Sequence, residues 1–487
     1  NDLVFYNLFL DTARSNLNKT AVICEDEKYT YQQLLTMVSA FSDHLIKKGV
    51  SKNENIGVSL NPGIEMLVSL ISIQKIGAAY LPLDPGYPNA KIDYIINHSG
   101  LNCIISNDAN RAFPKALNVI SSDEEYDTCE MCLDTSNASP EDTMYIIYTS
   151  GSTGKSKGVI VPNEGVANYL LWMKDCFKIK GDDVFLYQTS INFDISVWEL
   201  FLPLISGASV VILPKSIRTS SDQIIDIIKE HNVSIVQFVP SALHAFVETH
   251  DQNSATSLKR IFVGGERLSN ELNNECLNKI DAELINLYGP TEASIFCTYS
   301  YCTNVDLTNV SIGKPIYNAK VHILDENHNN IPIGSKGEIY LSGKIQANGY
   351  LNNTEETNKR FISSEKIGGK LFKTGDIGSF RDDGNIDFWG RVDRQVKLRG
   401  YRLELSEIED TIHSFSLVDN VCVTIREISS SDKRIMAFYT TKNSLKLKDP
   451  SELREHCSNY LPEYMVPSEF IFIEIIPTLP NGKIDIL

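Results

Sequence analysis

Long apolar runs and basic charge are what this sequence has least of. No stretch reaches the roughly 18 consecutive apolar residues of a membrane-spanning helix, and the start, Asn1-Asp2-Leu3-Val4, lacks the basic stretch and apolar core of a secretory leader. The formal net charge is −17, whereas a nucleic-acid surface requires clustered lysine and arginine. We therefore expect a cytoplasmic protein that binds neither membranes nor nucleic acids.

Cysteine pairs with metal-ligand spacing are scarce as well. The ten cysteines are scattered, mostly in apolar segments such as Val421-Cys422-Val423, where a reduced thiol packs as a small hydrophobic group. Cys129 and Cys132 have the spacing of zinc ligands, but no second such pair completes a four-ligand site. We therefore expect reduced thiols and no zinc site.

Length and hydrophobic patterning indicate more than one domain. At 487 residues and 42% hydrophobic, the chain can bury a large core and exceeds the usual size of one compact unit. Apolar runs rich in β-branched residues alternate with helical patterns over about the first 350 residues, as in wound α/β layers. After Asp393 the pattern changes to short strands and a helix. We predict an α/β fold with an N-terminal core over residues 1–392 and a small, mobile C-terminal α+β subdomain over 393–487.

The C-terminal part carries local signals for its own elements. Strands are predicted over Gln395 to Leu398, Arg402 to Leu405, Asn420 to Arg426 and Arg434 to Thr441. The segment Ser406-Glu407-Ile408-Glu409 has the Ser-x-x-Glu form of a capping box. A helix is therefore expected to begin near Ser406.

Several predicted core strands end in small or polar residues. The strands are Met144 to Tyr148, Ile235-Val236, Ile261 to Val263 and Leu284-Ile285, and they lead into Thr149 to Gly154, Gln237, Gly264-Gly265-Glu266 and Tyr288 to Glu292. In open α/β sheets ligands bind beyond the carboxyl ends of strands. These loops can therefore line one cleft.

The segment from Tyr148 to Gly158 combines glycines, hydroxyl side chains and lysines directly after a predicted strand. Backbone N–H groups exposed by glycine, together with serine and threonine hydroxyls, can wrap phosphate oxygens. Gly154-Lys155-Ser156 resembles the end of a Walker loop, but that loop needs glycine where Thr149 stands. The segment therefore predicts a phosphate site outside the P-loop NTPases.

Six further segments occur in a fixed order along the chain. They are GAAYLPLDP (77–85), FDISVWE (193–199), NLYGPTE (286–292), KTGD (373–376), GRVDRQVKLRG (390–400) and NGKID (481–485). Together with the phosphate segment, they resemble the adenylate-forming superfamily, specifically the adenylation domains of nonribosomal peptide synthetases. The resemblance covers nearly the whole chain. It implies ATP-dependent activation of an amino acid as aminoacyl-AMP, release of pyrophosphate, and transfer to the phosphopantetheine thiol of a peptidyl carrier protein.

The resemblance implies a nucleotide site in which Glu292 holds Mg²⁺ on the phosphates. A hard cation prefers oxygen ligands and neutralises the leaving pyrophosphate. Tyr288 is similar to an adenine-stacking residue, Gly265 to part of the adenine wall, and Asp376 to the acid that binds both ribose hydroxyls near Arg391. The implied triphosphate cradle is Thr149, Ser150, Gly151, Ser152, Thr153, Gly154 and Lys157, with Thr149 also counted as catalytic, and the remaining implied nucleotide residues are Glu266, Asn286, Gly289 and Thr291.

Two residues near the end of the core and of the chain resemble moving parts of the family's mechanism. Lys483 resembles the catalytic lysine that bridges the substrate carboxylate and the α-phosphate. Its ammonium would stabilise the charge that develops in the transition state more than the ground state. Asp393 resembles the hinge about which the C-terminal subdomain swings between adenylation and thiolation. In the second state the segment from Gln395 to Gly400 would replace Lys483 at the active site.

The resemblance also implies an amino-acid pocket in which Asp194 pairs with the substrate ammonium. Its other lining residues are Ile195, Trp198, Gln237, Phe262, Gly264, Leu287, Ile295 and Phe296. No second charge occurs in this set, so a charged substrate side chain would be buried without a partner. The bulky members fill the volume that large apolar substrates need. Glycine is the predicted substrate, followed by alanine and then serine, whose hydroxyl Gln237 could bind.

The chain departs from the family pattern at a few positions. The family usually has proline where Ser156 stands, often histidine in place of Asn163, and commonly arginine where Lys91 stands. None of these residues has a role named above, so we expect activity to survive.

Other proteins share parts of this pattern. An acyl- or aryl-CoA synthetase would use the same ATP machinery, but Asp194 would then be unpaired in an apolar acyl pocket. A D-alanine–carrier protein ligase is a close relative, although Trp198 with Glu199 looks more like the peptide synthetases. A degenerate nucleotide-binding scaffold is disfavoured because Glu292, Asp376 and Lys483 are all present.

The implied partners are ATP with Mg²⁺, an amino acid and a carrier domain bearing phosphopantetheine. The resemblance leaves open whether a small MbtH-like activator protein is also needed. The chain begins with Asn1 rather than methionine, as expected for a piece of a longer protein. We expect the carrier domain to come from another chain or from downstream sequence.

Overall fold

The computed structural model describes residues 3–108, 111, 113–124, 133–151, 155–218, 220–250, 256–304, 309–428, 433–442 and 450–477. Its internal contacts divide the chain into two compact units. Unit 1 contains Asn1–Pro85, Ser99–Ile147 and Gly158–Val392, and unit 2 contains Gly86–His98, Tyr148–Lys157 and Asp393–Leu487. None of the helices in these described ranges is long and apolar enough to cross a membrane.

The described helices and strands follow one another in the order expected for mixed α/β layers. The helices are α1 (Phe5–Arg14), α2 (Tyr31–Lys47), α3 (Ile64–Ile76), α4 (Asn89–Ser99), α5 (Asn163–Cys176), α6 (Ile195–Ser206), α7 (Ser221–His231), α8 (Pro240–Thr249), α9 (Asn270–Lys279), α10 (Thr354–Arg360), α11 (Leu405–His413) and α12 (Ser451–Tyr460). The strands are β1 (Thr20–Cys24), β2 (Glu27–Thr30), β3 (Asn55–Ser59), β4 (Ala79–Pro82), β5 (Cys103–Ser106), β6 (Asn118–Ile120), β7 (Thr143–Thr149), β8 (Lys157–Pro162), β9 (Val184–Tyr187), β10 (Ser209–Ile212), β11 (Ile235–Phe238), β12 (Arg260–Gly264), β13 (Glu283–Tyr288), β14 (Thr298–Tyr301), β15 (Lys314–Pro315), β16 (Ala319–Leu324), β17 (Gly337–Gly343), β18 (Gly349–Tyr350), β19 (Phe361–Ser364), β20 (Gly369–Phe380), β21 (Ile386–Arg391), β22 (Gln395–Leu398), β23 (Tyr401–Glu404), β24 (Val418–Glu427), β25 (Lys433–Thr441) and β26 (Glu469–Phe472).

Unit 1 is built on three sheets. The nine-stranded sheet has the order β15-β14-β13-β12-β11-β9-β10-β1-β2, and its strands from β13 to β1 are parallel. Their short apolar runs, such as Ile235–Phe238, are buried throughout, as expected for parallel strands covered on both faces. A seven-stranded sheet has the order β18-β8-β7-β4-β3-β5-β6, and an antiparallel sheet contains β16, β17, β19, β20 and β21. The predicted α/β class is confirmed.

Alternate residues of the parallel strands face two different apolar clusters. On β12, Phe262 belongs to the larger cluster, which contains residues of α1, α2, α3, α5 and α6. Its neighbours Ile261 and Val263 belong to the cluster under α7, α8 and α9. Side chains alternate between the two faces of a strand, so the strand register decides which residues point towards α6. Phe262 is therefore on the face that carries the predicted amino-acid pocket.

The C-terminal part of unit 2 has an α+β core of its own, formed by α11, α12 and strands β22 to β26. The predicted strands are confirmed to within one or two residues at each end. The predicted capping box at Ser406 is wrong, because α11 begins at Leu405 and has no side-chain cap bond. The Glu409 carboxylate instead accepts hydrogen bonds from Arg394 and from the Val423 backbone. Hydrogen-bond partners distant in sequence thus replace the local partner that the capping box would have given Glu409.

The cysteines that the structure describes are free thiols. Cys422 is buried in β24, as its apolar neighbours predict. Cys129 and Cys132 lie outside the described residues.

Candidate active site

The carboxyl ends of neighbouring parallel strands bring predicted pocket residues to one edge of the nine-stranded sheet. Gln237 is opposite Phe262 in the pairing of β11 with β12, and Gly264 is opposite Leu287 in the pairing of β12 with β13. The Phe262 ring meets the Trp198 ring edge-on, with 5.2 Å between centroids. The sheet register and α6 thus bring these predicted pocket residues together.

Asp194 stands at the start of α6, at the end of the loop that follows β9. Burial raises the pKa of Tyr80, Tyr145 and Tyr169 well above the usual value, and the nearby Asp194 carboxylate raises each of them further. These tyrosines belong to β4, β7 and α5 respectively. Asp194 therefore lies where the two large sheets and α5 come together, close to phenolic hydroxyls.

Several polar atoms around this place are buried without a hydrogen-bond partner among the described residues. They are the hydroxyls of Tyr145 and Tyr169, Nε1 of Trp198 and Oε1 of Gln237. A buried polar group without a partner costs about 1–3 kcal/mol, so native proteins rarely keep several together. A polar ligand with both donors and acceptors would satisfy them.

Gly264 and Phe296 are in close contact at the end of β12. A methyl group at Gly264 would lie 2.8 Å from the Leu287 carbonyl oxygen and 2.8 Å from the Phe296 ring. Phe296 follows Ile295, whose φ of 90° is in a region that β-branched residues rarely adopt. The strained backbone at Ile295 therefore immediately precedes Phe296, whose ring lies beside Gly264 at the end of β12.

Three predicted nucleotide residues meet on the antiparallel sheet. Asp376 on β20 is paired with Arg391 on β21 at 2.5 Å, and it accepts a hydrogen bond of 2.5 Å from the Tyr288 hydroxyl. Arg391 also donates to the Thr374 carbonyl at 3.2 Å. Burial and then Asp376 raise the pKa of Tyr288. A carboxylate oxygen can accept more than one hydrogen bond, so Asp376 keeps acceptor capacity for a ligand.

Glu292 is fully buried in the short helix Thr291–Ala293. Its Oε1 accepts a 2.6 Å hydrogen bond from the Tyr350 hydroxyl, and its backbone oxygen accepts from the Ala347 N–H. Within the described ranges, no group of three or more His, Cys, Asp or Glu side chains could hold a metal ion. One carboxylate fits Mg²⁺, which takes few protein ligands and completes its shell with water and phosphate oxygens.

The predicted phosphate loop belongs to unit 2 and runs from the end of β7 to the start of β8. Ser150 Oγ donates to the Arg402 carbonyl oxygen at 2.7 Å, and Thr149 Oγ is buried without a partner in the described part of the chain. A methyl group at Gly151 would lie 2.0 Å from the Lys155 carbonyl oxygen, so Gly151 and Lys155 are close together. Lys157 is buried at the start of β8. Ser152, Thr153 and Gly154 lie outside the described residues.

Three of the remaining predicted site residues are hydrogen-bonded to backbone atoms. Glu266 accepts from the Ser241 N–H at 3.2 Å, and Asn286 donates to the Ser311 carbonyl at 2.8 Å. Gly265 has a φ of 89°, which favours glycine, and a methyl group at Gly289 would lie 2.5 Å from Phe296 Cα. Asp393 in unit 2 accepts from the Gln395 N–H at 3.2 Å. Lys483 lies outside the described residues.

Sequence reasoning assigned no role in the site to Glu199 or to the tyrosines near Asp194. Glu199 is buried in α6, where its carboxylate accepts from the Thr189 N–H at 2.9 Å and the Thr189 hydroxyl at 2.8 Å. Burial raises the pKa of Glu199 to about 7. The one available signal was a charged residue in an otherwise apolar helix. Glu199 therefore holds Thr189 in place, near the start of the loop that ends at Asp194.

A surface groove of about 470 Å³ elsewhere on unit 1 contains none of the predicted site residues. Its lining residues are Leu171, Lys174, Asp175, Lys178, Ile179 and Lys180. Three of its charged side chains already have partners, since Lys174 donates to the Ile205 carbonyl and Lys178 pairs with Asp175. We assign no ligand to this groove.

Two family models and several known proteins match most of this chain. A family model described as AMP-binding enzyme matches residues 9–351, and one described as AMP-binding enzyme C-terminal domain matches residues 407–483. Zwittermicin A synthase ZmaJ of Bacillus cereus is 36% identical over 98% of this chain and 93% of its own length. Vanchrobactin synthetase VabF of Vibrio anguillarum is 33% identical over 98% of this chain, which spans only 18% of that relative.

A solved structure described as a four-domain nonribosomal peptide synthetase bound to AMP and glycine is also similar. It superposes with a TM-score of 0.73 at 26% identity, covering 100% of this chain and 36% of the solved one.

Removing the Glu199 carboxyl should change how stability depends on pH. The folded pKa of about 7 exceeds the ordinary value of 4.5, so the folded state retains a proton that the unfolded state has lost between these values. The free energy of unfolding should then fall as pH rises through this window, by about 3 kcal/mol for this group. Glu199→Gln should lack that component, whereas Glu365→Gln at an exposed position should keep it.

Urea denaturation of the three proteins at pH 5 and pH 8 measures the difference. Parallel behaviour of wild type and Glu199→Gln would show that the Glu199 carboxyl titrates in its ordinary range.

Proposed function

The chain belongs to the family of AMP-binding enzymes and is an amino-acid adenylating ligase of the nonribosomal peptide synthetase type, and we propose that its substrate is a small neutral amino acid, glycine first. In the proposed reaction, the amino-acid carboxylate attacks the α-phosphorus of ATP to give aminoacyl-AMP and pyrophosphate. The aminoacyl group then passes to the phosphopantetheine thiol of a peptidyl carrier domain. The single observation that carries the substrate proposal is the buried Asp194 carboxylate in a narrow pocket.

Asp194 supports an amino acid over a plain acyl substrate. Its carboxylate lies near the hydroxyls of Tyr145 and Tyr169, which have no hydrogen-bond partner among the described residues. An ammonium group would pair with the carboxylate and bring N–H donors to these oxygens. The substrate of an acyl- or aryl-CoA synthetase brings no ammonium group, so a carboxylate at this position would be buried without a charged partner.

The rigid walls support a small side chain. Trp198 packs against Phe262, and Phe262 packs on its other side against Phe177, with 4.9 Å between those centroids. A methyl group added to Gly264 would lie 2.8 Å from the Phe296 ring, so these two predicted pocket residues are in close contact at the end of β12. Close-packed walls reject extra methylenes at about 1–3 kcal/mol each, so glycine should be preferred to alanine by roughly tenfold. The relative bound to AMP and glycine supports the same substrate.

Contacts between residues of unit 1 support the proposed nucleotide roles. We propose that Tyr288 stacks on adenine with Gly265 alongside, and that Asp376, oriented by Arg391, accepts from the ribose hydroxyls. Glu292 would hold Mg²⁺, which supplies charge neutralisation for the leaving pyrophosphate when bound. The Tyr350 hydroxyl fixes the Glu292 carboxylate by a 2.6 Å hydrogen bond. The loop from Thr149 to Lys157 would surround the triphosphate.

The remaining roles concern unit 2 and the carrier. We propose that Lys483 stabilises the charge on the α-phosphate, that Asp393 is the hinge between two working states, and that residues 393–487 act as a mobile subdomain. The carrier domain is the proposed macromolecular partner, and a small MbtH-like activator is a further one.

Amino-acid-dependent pyrophosphate exchange tests the substrate. The panel contains the twenty common amino acids, D-alanine, and an aliphatic and an aromatic carboxylic acid. We expect the highest kcat/KM with glycine, then alanine, then serine. A large aliphatic, aromatic or charged amino acid as the best substrate would show that the pocket has been misread, and a preference for D-alanine or a plain acid would favour a rival ligase.

Replacing Asp194 should strongly impair recognition of the amino acid. Removing one partner of a buried charge pair costs about 3–5 kcal/mol, so Asp194→Ala should lose on the order of a hundredfold or more in kcat/KM. Asp182→Ala removes the same charge from an exposed position nearby and serves as the control. A loss below about threefold would indicate that Asp194 has only a structural role.

Replacing Lys483 should separate the two half-reactions. Lys483→Ala should nearly abolish pyrophosphate exchange but preserve transfer from supplied aminoacyl-AMP to the carrier, because in the proposed mechanism Lys483 is at the active site only in the adenylating state. Lys433→Ala, an exposed lysine in the same part of the chain, should affect neither reaction. Equal loss in both half-reactions would contradict this division of roles.

A further inference from the structure

Both ends of the predicted phosphate loop are bonded to one short segment of unit 2. Ser150 Oγ, near the start of the loop, donates to the Arg402 carbonyl oxygen at 2.7 Å. Ser156 Oγ, near its end, donates to Glu407 Oε1 at 3.1 Å. Residues 402–407, which we call the latch segment, thus contact the loop at two separated points.

Glu407 is the centre of the second contact. Its Oε1 also pairs with the Lys91 ammonium at 2.7 Å, and Lys91 itself donates to Ser156 Oγ. The side chains of Lys91 and Glu407 are only 11% and 6% exposed, so the pair is held away from water. Helix α4, the loop and α11 are therefore joined by three polar side chains.

The groups around the Glu407 carboxylate are those that would bind a phosphate oxygen. An ammonium and a hydroxyl at the end of a glycine-containing loop suit any compact anion. A carboxylate of the protein itself occupies this place. The other oxygen, Oε2, is buried with no hydrogen-bond partner in the described part of the chain. Glu407 is thus an incompletely satisfied anion, which a better acceptor could displace.

The second lysine of the loop is also near a carboxylate of the latch segment. Burial raises the pKa of Glu404, and the Lys157 ammonium opposes that rise. Two carboxylates of one segment therefore act on the cations beside the phosphate loop.

We propose that the latch segment competes with the ATP triphosphate for the phosphate loop, with Glu407 holding Lys91 and Ser156 and the Arg402 carbonyl holding Ser150 until phosphate replaces them. This inference rests on the proposed function, since it takes the loop to be the triphosphate site. The coupling is reciprocal: loosening the latch strengthens ATP binding, and ATP binding loosens the latch by the same factor.

The first test is binding of Mg²⁺ with the non-cleavable α,β-methylene analogue of ATP, measured by calorimetry. Glu407→Gln should bind it about 5–20-fold more tightly than wild type, a typical range for coupled sites. Asp410→Asn removes the same charge from an exposed position on α11 and should bind within about twofold of wild type. Equal affinity in all three proteins, or weaker binding by Glu407→Gln, would overturn the proposal.

The second test uses the wild-type chain and does not depend on a variant folding. Amide hydrogen exchange over residues 401–408 should accelerate several-fold when the ATP analogue is added, because the latch contacts are lost. Unchanged or slower exchange in the presence of bound analogue would also overturn the proposal. Failure of wild type to bind the analogue or to exchange pyrophosphate with any amino acid would instead disprove the proposed function.

Discussion

The free-energy cost of burying a carboxylate away from water is the main constraint on this structure. Unit 1 buries Asp194, Glu199, Glu292 and Asp376, and an isolated carboxylate in such surroundings is far less stable than in water. Glu199 is satisfied by backbone and hydroxyl donors of its own loop, Glu292 by Tyr350, and Asp376 by Tyr288 and Arg391. Asp194 instead stands near tyrosines whose hydroxyls have no partner among the described residues. Each of these four carboxylates thus lies beside groups that can donate hydrogen bonds.

The register of the parallel strands brings the predicted pocket residues together. Because β11, β12 and β13 run side by side in the same direction, residues far apart in sequence reach the same edge of the sheet. Alternation along β12 then sends Phe262 towards α6 and its neighbours to the opposite cluster. A register shift of one residue would exchange these faces and remove the pocket wall.

Much of this arrangement could be predicted from the sequence because it follows from local patterns. The strands of the C-terminal part and the strand-end loops of the core are examples, since alternation and small polar residues mark them directly. The capping box at Ser406 failed because Glu409 finds Arg394 and Val423 instead, and contacts of that range leave no local trace. No motif in the sequence marks Tyr145 or Tyr169. Their unpartnered hydroxyls become visible only once the two sheets are placed together.

The close approach of Gly264 and Phe296 has a consequence for how the pocket can evolve. Gly264 has no side chain that a substitution could shorten, whereas the Phe296 ring beside it is bulky, so Phe296 is the residue at this end of β12 that a substitution could make smaller. Loss of that ring would open space without disturbing the sheet, and later changes at Trp198 could widen it. A laboratory effort to accept larger substrates would therefore start with a smaller residue in place of Phe296.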